Sequence, residues 1–244
     1  MKLVDKKIVL WLRRKVKEAG ARGVVFGLSG GVDSAVVAAL VKKAVGTRHL
    51  ALILPCHSHK SASLDAMKII RKLKLNIKTV DLTKLFDYFT KILPKGSKLA
   101  LANIKPRLRM ITLYYFANSL NYLVAGTGNK SEAMVGYFTK YGDGGVDILP
   151  IAALLKSDVR KLAKKLGIPQ AIIDKSPSAD LWPGQTDEGE MGISYDELDF
   201  LLSGLENKKK TRLSKNKINK VKKMIKSSAH KRAIPEIFKV TSRK

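Results

Sequence analysis

The sequence predicts one α/β domain with a doubly wound sheet of five parallel strands and helices on both of its faces. Short apolar runs alternate with longer segments in which apolar residues recur at helical spacing, and this alternation is typical of parallel strands joined by crossover helices. The short runs are apolar throughout, as expected for strands that are covered on both sides. With 244 residues, of which 45% are hydrophobic, the chain is long enough for one sizeable core.

The elements can be justified in order along the chain. An amphipathic pattern with Lys and Arg between its apolar residues predicts a first helix that ends near Gly20. A buried strand and a helix rich in Ala and Val come next, and further strands and helices follow. The predicted strands are residues 23–28, 49–54, 76–80, 121–125 and 147–150. The predicted helices are residues 3–20, 33–45, 61–73, 104–119, 156–166, 194–205 and 214–227.

Residues 175–192 are rich in Pro, Gly, Ser and Asp and show little periodicity. An irregular stretch of this length is usually a lid or binding loop, or is disordered, and we expect a lid here. No internal repeat or low-complexity linker divides the chain. Residues 1–244 are therefore predicted to form a single domain, with a basic and helical C-terminal portion from about residue 194.

The formal net charge of the chain is +27, and Glu236 is the only acidic residue in the tail from Lys208 to Lys244. Such a field attracts polyanions, which include nucleic acid, anionic membranes and phosphorylated substrates. We favour a lysine-rich solvated surface, so that any binding of nucleic acid would be a nonspecific charge effect. No run of about 18 apolar residues predicts a membrane span. The absence of a signal-peptide pattern and the single cysteine, Cys56, predict a cytoplasmic protein.

A glycine-rich loop joins the first predicted strand to the next helix. Its two adjacent glycines have no Cβ, so backbone N–H groups can close on phosphate oxygens, and its serines add hydroxyl donors. The following helix directs its positive end at the same anion. Asp33 faces a phosphate favourably only if a cation lies between them, which indicates Mg²⁺. The loop consists of Gly27, Leu28, Ser29, Gly30, Gly31, Val32, Asp33 and Ser34.

No Gly-Lys-Ser/Thr follows these glycines, so the loop is not a Walker A motif. It resembles the SGGxDS signature of the PP-loop ATP pyrophosphatases, which cleave ATP between its α and β phosphates and release AMP and pyrophosphate. Two simpler interpretations stay open: the loop is an ordinary strand–helix turn, and Asp33 is a helix N-cap. By pattern alone, residues 126–128 are only a weak dinucleotide-binding signal.

Later segments of the sequence narrow the choice of substrate. They are residues 103–110, 126–132, 136–150, 175–182 and 185–188. Together with the glycine loop, and over about residues 8–235, they closely resemble the ammonia-dependent NAD synthetases. The resemblance implies a Rossmann-like fold of the adenine nucleotide alpha-hydrolase-like type. It also implies the last step of NAD biosynthesis: ATP-dependent amidation of deamido-NAD with ammonia, through an acyl-adenylate, with release of AMP and pyrophosphate.

The resemblance also implies roles for single residues. Mg²⁺ would be held by Asp33 and Glu132, and Asp33, Lys156 and Asp143 would be catalytic. Lys156 would offset charge on the transferring phosphoryl group, and Asp143 would help to deprotonate ammonium near the reacting carbonyl. Besides residues 27–34, the implied ATP-binding residues are Thr127, Lys156 and Ser178. The implied deamido-NAD-binding residues are Arg107, Lys140, Asp147, His230 and Lys231. Members of the family are commonly homodimers with the dinucleotide near the subunit interface, so we expect a homodimer.

Each of these residues also has an ordinary structural interpretation. Glu132 and Lys156 could be solvated, and Asp143 and Asp147 could organise turns in a glycine-rich loop. Arg107 and Arg109 lie two residues apart and point to different faces of a helix, so one is expected to bind substrate and the other to form a structural ion pair.

Two other functions compete with the synthetase. A PP-loop tRNA-modifying enzyme fits the charge, but the tRNA thiolases of that superfamily generally use paired cysteines, and a lysidine-type ligase should lack residues 126–150 as a motif. A non-catalytic nucleic-acid-binding protein would need neither Asp33 nor Glu132. A glutaminase domain would need far more chain, so the expected nitrogen source is free ammonia or ammonia from a separate protein.

Overall fold

The computed structural model describes residues 3–58, 60–182, 184–206 and 213–238. Parts of the predicted basic tail, residues 208–212 and 239–244, lie outside the described residues. The strands are β1 (Gly23–Gly27), β2 (His49–Ile53), β3 (Ile77–Thr79) and β4 (Tyr122–Ala125). The helices are α1 (Val4–Glu18), α2 (Val32–Val45), α3 (Lys60–Leu73), α4 (Thr83–Ile92), α5 (Lys98–Ala102), α6 (Ile104–Leu120), α7 (Lys130–Val135), α8 (Lys156–Lys165), α9 (Gln170–Ile173), α10 (Asp187–Met191), α11 (Tyr195–Glu206) and α12 (Lys215–Ser227), and a 3₁₀ turn follows at Ala229–Lys231.

The strands form one parallel sheet in the order β3-β2-β1-β4. Val25 of β1 pairs with Leu50 of β2 on one side and with Val124 of β4 on the other. The chain thus builds the sheet outwards from β1 to β3 and then returns to place β4 on the opposite side of β1. Open α/β sheets bind their ligands at this reversal, beyond the carboxyl ends of the two strands.

The predicted fifth strand, residues 147–150, is wrong, and the sheet of the described residues has four strands. Ile148 forms only an isolated parallel bridge with Ala125. Its carbonyl accepts from the N–H of Gly126 at 2.9 Å, and its own N–H donates to the carbonyl of Val124 at 3.1 Å. The ladder stops there because Pro150 has no N–H to donate and begins a turn.

Helices cover both faces of the sheet. Val24 and Phe26 of β1 belong to a core with α1, α2 and α8, whereas Val25 belongs to a second core with α6. This alternation follows from the strand period, which sends successive side chains to opposite faces. Helix α2 is buried on nearly all sides, which explains its composition of Ala, Val and Leu.

A third apolar cluster lies beside the sheet, where α11 and α12 pack against α7. The basic C-terminal portion therefore has apolar inner faces, and Val221 is the buried residue of α12. No described helix is both long enough and apolar enough to cross a membrane.

Several short helices were not predicted. One is α10, which interrupts the segment 175–192 that the sequence predicts to be irregular; the hydroxyl of Thr186 caps it by accepting from the N–H of Gly189 at 3.2 Å. Helix α6 ends at Leu120, and its C-cap Asn121 takes the left-handed conformation at φ 53°. Strand β4 therefore begins one residue later than predicted.

Candidate active site

A cavity of about 720 Å³ opens at the carboxyl ends of β1 and β4, at the switch point of the sheet. The glycine loop forms one wall and the segment from Lys175 to Asp187 forms another. Of the predicted ATP-binding residues, all but Gly30 line it: Gly27, Leu28, Ser29, Gly31, Val32, Asp33, Ser34, Thr127, Lys156 and Ser178.

The glycine loop is held in shape by its own side chains. Ser29 Oγ donates to Ser34 Oγ at 3.1 Å, and Ser34 Oγ donates to the carbonyl of Gly31 at 2.9 Å. Gly30 has φ +83°, and a Cβ on it would lie 2.5 Å from the carbonyl oxygen of Ala62. Both observations require glycine at position 30. The loop is therefore a preformed turn at the N-terminus of α2, where an anion is stabilised.

A buried lysine joins two carboxylates beneath this loop. Lys156 Nζ lies 2.5 Å from Asp33 Oδ2 and 3.0 Å from Glu132 Oε1, and the lysine side chain is only 2% exposed. Asn129 Nδ2 donates to the other oxygen of Asp33 at 2.9 Å. Asp33 is not the N-cap of α2, since Gly31 occupies that position, and Lys156 is not solvated. Asp33, Glu132 and Lys156, three of the residues implied for catalysis and metal binding, thus converge, whereas Asp143 lies elsewhere on the cavity.

The charge on Lys156 is stabilised by its partners. Burial lowers the pKa of Lys156, but the carboxylates of Asp33 and Glu132 more than offset this effect, so its pKa is raised above its usual range. Burial raises the pKa of Glu132 to about 7; Asp33 also raises it, and Lys156 acts against both. A fixed cation beside the glycine loop can stabilise negative charge that develops on a transferring phosphoryl group.

At the far end of the cavity lie an arginine and an aspartate. Arg109 donates from Nε to the carbonyl of Leu54 at 3.1 Å and from Nη2 to Ser58 Oγ at 3.3 Å. Asp143 is exposed towards the cavity, and its Oδ1 accepts from the N–H of Thr139 at 2.8 Å. Asp143 therefore organises its turn and also lines the cavity, so the two interpretations from the sequence are both compatible with its position.

Of the residues implied for deamido-NAD, only Lys231 lines the cavity. It donates to the carbonyls of Gly136 and Phe138 at 2.8 and 2.9 Å. The structure does not bring the other four, Arg107, Lys140, Asp147 and His230, to the cavity wall.

Three of these four form an exposed group outside the cavity. Arg107 Nη2 donates to the carbonyl of Lys140 at 3.4 Å, and Lys140 Nζ donates to the carbonyl of His230 at 2.8 Å. Asp147 lies apart from them and accepts from Tyr114 and from the N–H of Val124. Arg109, not Arg107, is the arginine that faces the cavity.

Residues 4–235 match the family described as NAD synthase. The chain belongs to this NAD synthase family. It is 51% identical over 95% of its length, and over 95% of the relative, to the NH(3)-dependent NAD(+) synthetase of Carboxydothermus hydrogenoformans. The predicted resemblance is confirmed. The chain is thus an enzyme of NAD biosynthesis, which decides against the tRNA-modifying and nucleic-acid-binding alternatives.

Solved structures agree with this assignment. The NMN synthetase of Francisella tularensis is 38% identical with a TM-score of 0.91, and 98% of each chain is covered. The NH3-dependent NAD synthetase of Campylobacter jejuni, in complex with the nitrate ion, is 33% identical with a TM-score of 0.85 and coverage of 98% of this chain and 99% of that one. The α/β fold with parallel strands is therefore that of the NAD synthases.

Sequence reasoning missed a buried carboxylate that positions this NAD synthase site. Asp199 accepts from the hydroxyl of Ser131 through Oδ1 and from the N–H of Ser157 through Oδ2 at 2.7 Å. Ser131 Oγ in turn accepts from the N–H of Lys156 at 3.0 Å. Asp199 therefore ties the start of α8 to α7, the two helices that carry Lys156 and Glu132. An aspartate among the leucines of a predicted helix was the signal for it.

Sequence reasoning also missed that α10 and α11 contact the buried group formed by Lys156, Asp33 and Glu132. The hydroxyl of Tyr195 lies 3.1 Å from Glu132 Oε1 and 2.9 Å from Asp187 Oδ2. Asp187 is 5% exposed, and its Oδ1 is buried with no hydrogen-bond partner among the described residues. Burial raises the pKa of Asp187, although Lys156 acts to lower it.

The donor set fits a magnesium ion that binds together with a nucleotide. Asp33 and Glu132 both pair with the ammonium of Lys156, so their carboxylates lie close together, and such hard oxygen ligands suit Mg²⁺. In the described part of the chain, no three His, Cys, Asp or Glu side chains are arranged to hold a metal by themselves. This agrees with the usual magnesium site of nucleotide enzymes, in which one or two carboxylates are joined by substrate phosphates.

Proposed function

We propose that this NAD synthase converts deamido-NAD to NAD with ammonia and ATP, through an acyl-adenylate, and releases AMP and pyrophosphate. The observation that carries the proposal is the buried Lys156, held between Asp33 and Glu132 directly beneath a preformed anion-binding loop. The names of the relatives support the overall reaction, and the loop supports its adenylating chemistry.

Adenylation solves the chemical problem of the first step. A carboxylate is a poor acyl donor because its leaving group would be oxide. Attack of the nicotinate carboxylate on the α-phosphorus of ATP forms an acyl phosphate ester and breaks the bond to pyrophosphate. The backbone N–H groups of the glycine loop that face the cavity, and the N-terminus of α2, would receive the departing pyrophosphate. Lys156 would stabilise the charge that develops at the phosphorus.

Asp33 and Glu132 would hold Mg²⁺, which when bound would neutralise charge on the ATP phosphates. In the structure, Lys156 pairs with both carboxylates and so keeps them in place at the cavity wall. The cluster is therefore already organised for a cation before any ligand arrives.

In the second step ammonia attacks the acyl carbon and AMP leaves. Asp143 is exposed to the cavity and would accept the proton that ammonium must lose to become a nucleophile. Water must be excluded because an acyl-adenylate is readily hydrolysed. The segment 175–192 lines the cavity, and we propose that it has this role.

The remaining sequence predictions also enter the proposal. The exposed group of Arg107, Lys140 and His230 would bind the part of the dinucleotide that extends beyond the cavity. We further propose a homodimer with the dinucleotide near its interface, supported by the exposed apolar side chains Ile111 and Tyr115, which are 59% and 66% accessible. The cytoplasmic location stays a prediction.

A second acceptor has a specific observation in its favour. The structure from Francisella tularensis, with a TM-score of 0.91, is that of an NMN synthetase. Nicotinate mononucleotide presents the same carboxylate as deamido-NAD and lacks only the AMP moiety. Every step above applies to nicotinate mononucleotide unchanged, so the acceptor has to be identified by comparing the two compounds in the assay.

The test is product formation by the purified protein with ATP, Mg²⁺, ammonium and deamido-NAD. We expect equal amounts of NAD, AMP and pyrophosphate, and we expect Asp33→Ala to abolish all three. Asp196→Asn is the matched control, because that carboxylate lies on the surface with 85% of its side chain exposed. Glutamine in place of ammonium should give no NAD.

The alternative outcomes are distinct. ADP in place of AMP would refute the PP-loop chemistry. AMP without NAD would leave ATP activation standing and move the acceptor elsewhere. A parallel reaction with nicotinate mononucleotide compares the two acceptors. A higher kcat/KM for the mononucleotide than for deamido-NAD would make the mononucleotide the preferred substrate.

A further inference from the structure

Asp187 occupies an unusual position for an acidic residue. It begins α10 and is 5% exposed, and its Oδ2 lies 2.9 Å from the hydroxyl of Tyr195. Its Oδ1 has no partner among the described residues. A buried carboxylate oxygen without a donor costs free energy, so a group that is absent from the free protein is expected to satisfy it.

The surroundings of Asp187 indicate the kind of group. The same tyrosine hydroxyl lies 3.1 Å from Glu132 Oε1, and Asp33 and Glu132 share the single ammonium of Lys156. Three carboxylates and one ammonium give this cluster a formal charge of −2. The tyrosine hydroxyl has one proton and cannot donate to both carboxylates at once. The cluster therefore lacks both positive charge and donors, and a divalent cation with its water molecules supplies both.

We propose that Asp187 is a further residue of the cation site and raises the affinity for the divalent cation that would bind at Asp33 and Glu132. This inference rests on the metal site of the proposed function and adds a residue to it. Asp187 would act from behind Glu132, through its negative charge and through its own unpartnered oxygen. Such supporting groups typically change metal affinity by about 10–100-fold.

The position of Asp187 in the chain gives the proposal a second consequence. Asp187 belongs to the segment 175–192 that lines the cavity, and its N–H donates to the carbonyl of Pro177 at 3.1 Å. Binding of the cation should therefore hold this segment against the site. By linkage, the docked segment should strengthen cation binding by the same factor.

The experiment measures Mn²⁺ binding by electron paramagnetic resonance, with an ATP analogue that cannot be cleaved between its α and β phosphates. No acceptor or ammonium is present, so catalysis does not enter. Asp187→Asn should bind Mn²⁺ about 10–100-fold more weakly than the wild-type protein. Asp196→Asn, which removes an exposed carboxylate nearby, should bind normally. Mn²⁺ should also slow chymotryptic cleavage after Leu181 in the wild-type protein and fail to do so in Asp187→Asn.

A second variant separates the effect of the Asp187 charge from the effect of packing around it. It also tests the proposal if Asp187→Asn does not fold. Tyr195→Phe keeps both carboxylates but removes the hydroxyl that contacts Glu132 and Asp187. Because the carboxylates then lose the one proton that this hydroxyl donates, Mn²⁺ should bind equally well or more tightly. Weaker binding by Tyr195→Phe would mean that Tyr195 and Asp187 only maintain the packing, and would overturn the proposal.

The failures of the two proposals can be told apart. Wild-type protein that binds no Mn²⁺ with the analogue would overturn both the metal site and the role of Asp187. Normal Mn²⁺ binding by a folded Asp187→Asn variant would overturn this inference alone and leave the metal site at Asp33 and Glu132 standing.

Discussion

Removal of the buried lysine perturbs both the stability and the chemistry of the site. Lys156→Met keeps the length of the side chain but deletes the ammonium that lies 2.5 Å from Asp33 and 3.0 Å from Glu132. The two carboxylates are then left in a site where the lysine was 2% exposed. Deletion of one partner from a buried ion pair costs about 3–5 kcal/mol, because the other charge stays buried without compensation.

This cost should appear as a lower melting temperature. For a chain of this size, 1 kcal/mol corresponds to about 2–4 °C, so Lys156→Met should melt roughly 10 °C below the wild-type protein. Mg²⁺ should recover part of the loss, because a divalent cation can take the place of the ammonium between Asp33 and Glu132. Lys161→Met on the same helix is the matched control, since Lys161 pairs with Asp158 at the surface and is 65% exposed.

The same substitution should slow the adenylation step. Loss of one preorganised group that stabilises charge in the transition state typically lowers kcat by about 10²–10³-fold. Release of AMP and pyrophosphate, measured at saturating ATP and Mg²⁺, checks this value. Wild-type melting temperature in Lys156→Met, or a kcat within twofold of that of Lys161→Met, would refute the reasoning that places a functional charge at Lys156.

Four further perturbations test other parts of the site. Asp199→Asn should lower the melting temperature by several degrees and raise KM for ATP. The amide of asparagine cannot accept from both of the buried donors that Asp199 serves, and a buried donor left unsatisfied costs about 1–3 kcal/mol. Gly30→Ala should abolish activity, since its φ is +83°, whereas Gly31→Ala should fold normally because its Cβ meets nothing nearer than 3.5 Å. Arg109→Met should raise KM for the nicotinate substrate by at least tenfold in steady-state assays, and an unchanged KM would remove Arg109 from the site. Cys56→Ser should keep full activity, and thiol reagents should label native Cys56 slowly, because burial raises the pKa of the thiol and disfavours the reactive thiolate.

Most of the sheet could be predicted from the sequence, because its strands are apolar runs bounded by glycine and polar residues. The predicted ranges contain β1 to β4, with ends that differ by a residue or two. The strand predicted at residues 147–150 was wrong for a local reason. The run is apolar enough for a strand, but Pro150 cannot continue a ladder. Helices such as α5, α7 and α10 are too short for helical periodicity to be recognised.

The site could be predicted only where it lies in contiguous motifs. The glycine loop and Glu132 stand in recognisable strings of sequence. Asp199 does not, and Asp187, although it stands in the motif of residues 185–188, was given no role, because the importance of both arises from what α11 and α10 contact in the folded chain. Arg109 illustrates an intermediate case: the resemblance implied Arg107 for the substrate, whereas the packing of α6 brings Arg109 to the cavity wall.

The two ends of the cavity differ in how completely the described chain builds them. At the nucleotide end, the four elements α2, α7, α8 and α11 are joined by hydrogen bonds that involve Asp33, Asn129, Ser131 and Asp199. Every member of that network already has its partner, so the nucleotide end is organised before ATP binds. At the acceptor end, Arg107 and His230 are exposed, and of the residues implied for deamido-NAD only Lys231 lines the cavity. Discrimination between a dinucleotide and a mononucleotide should therefore depend on this exposed group. Substitution of Arg107 should change the preference between the two acceptors and leave ATP binding unchanged.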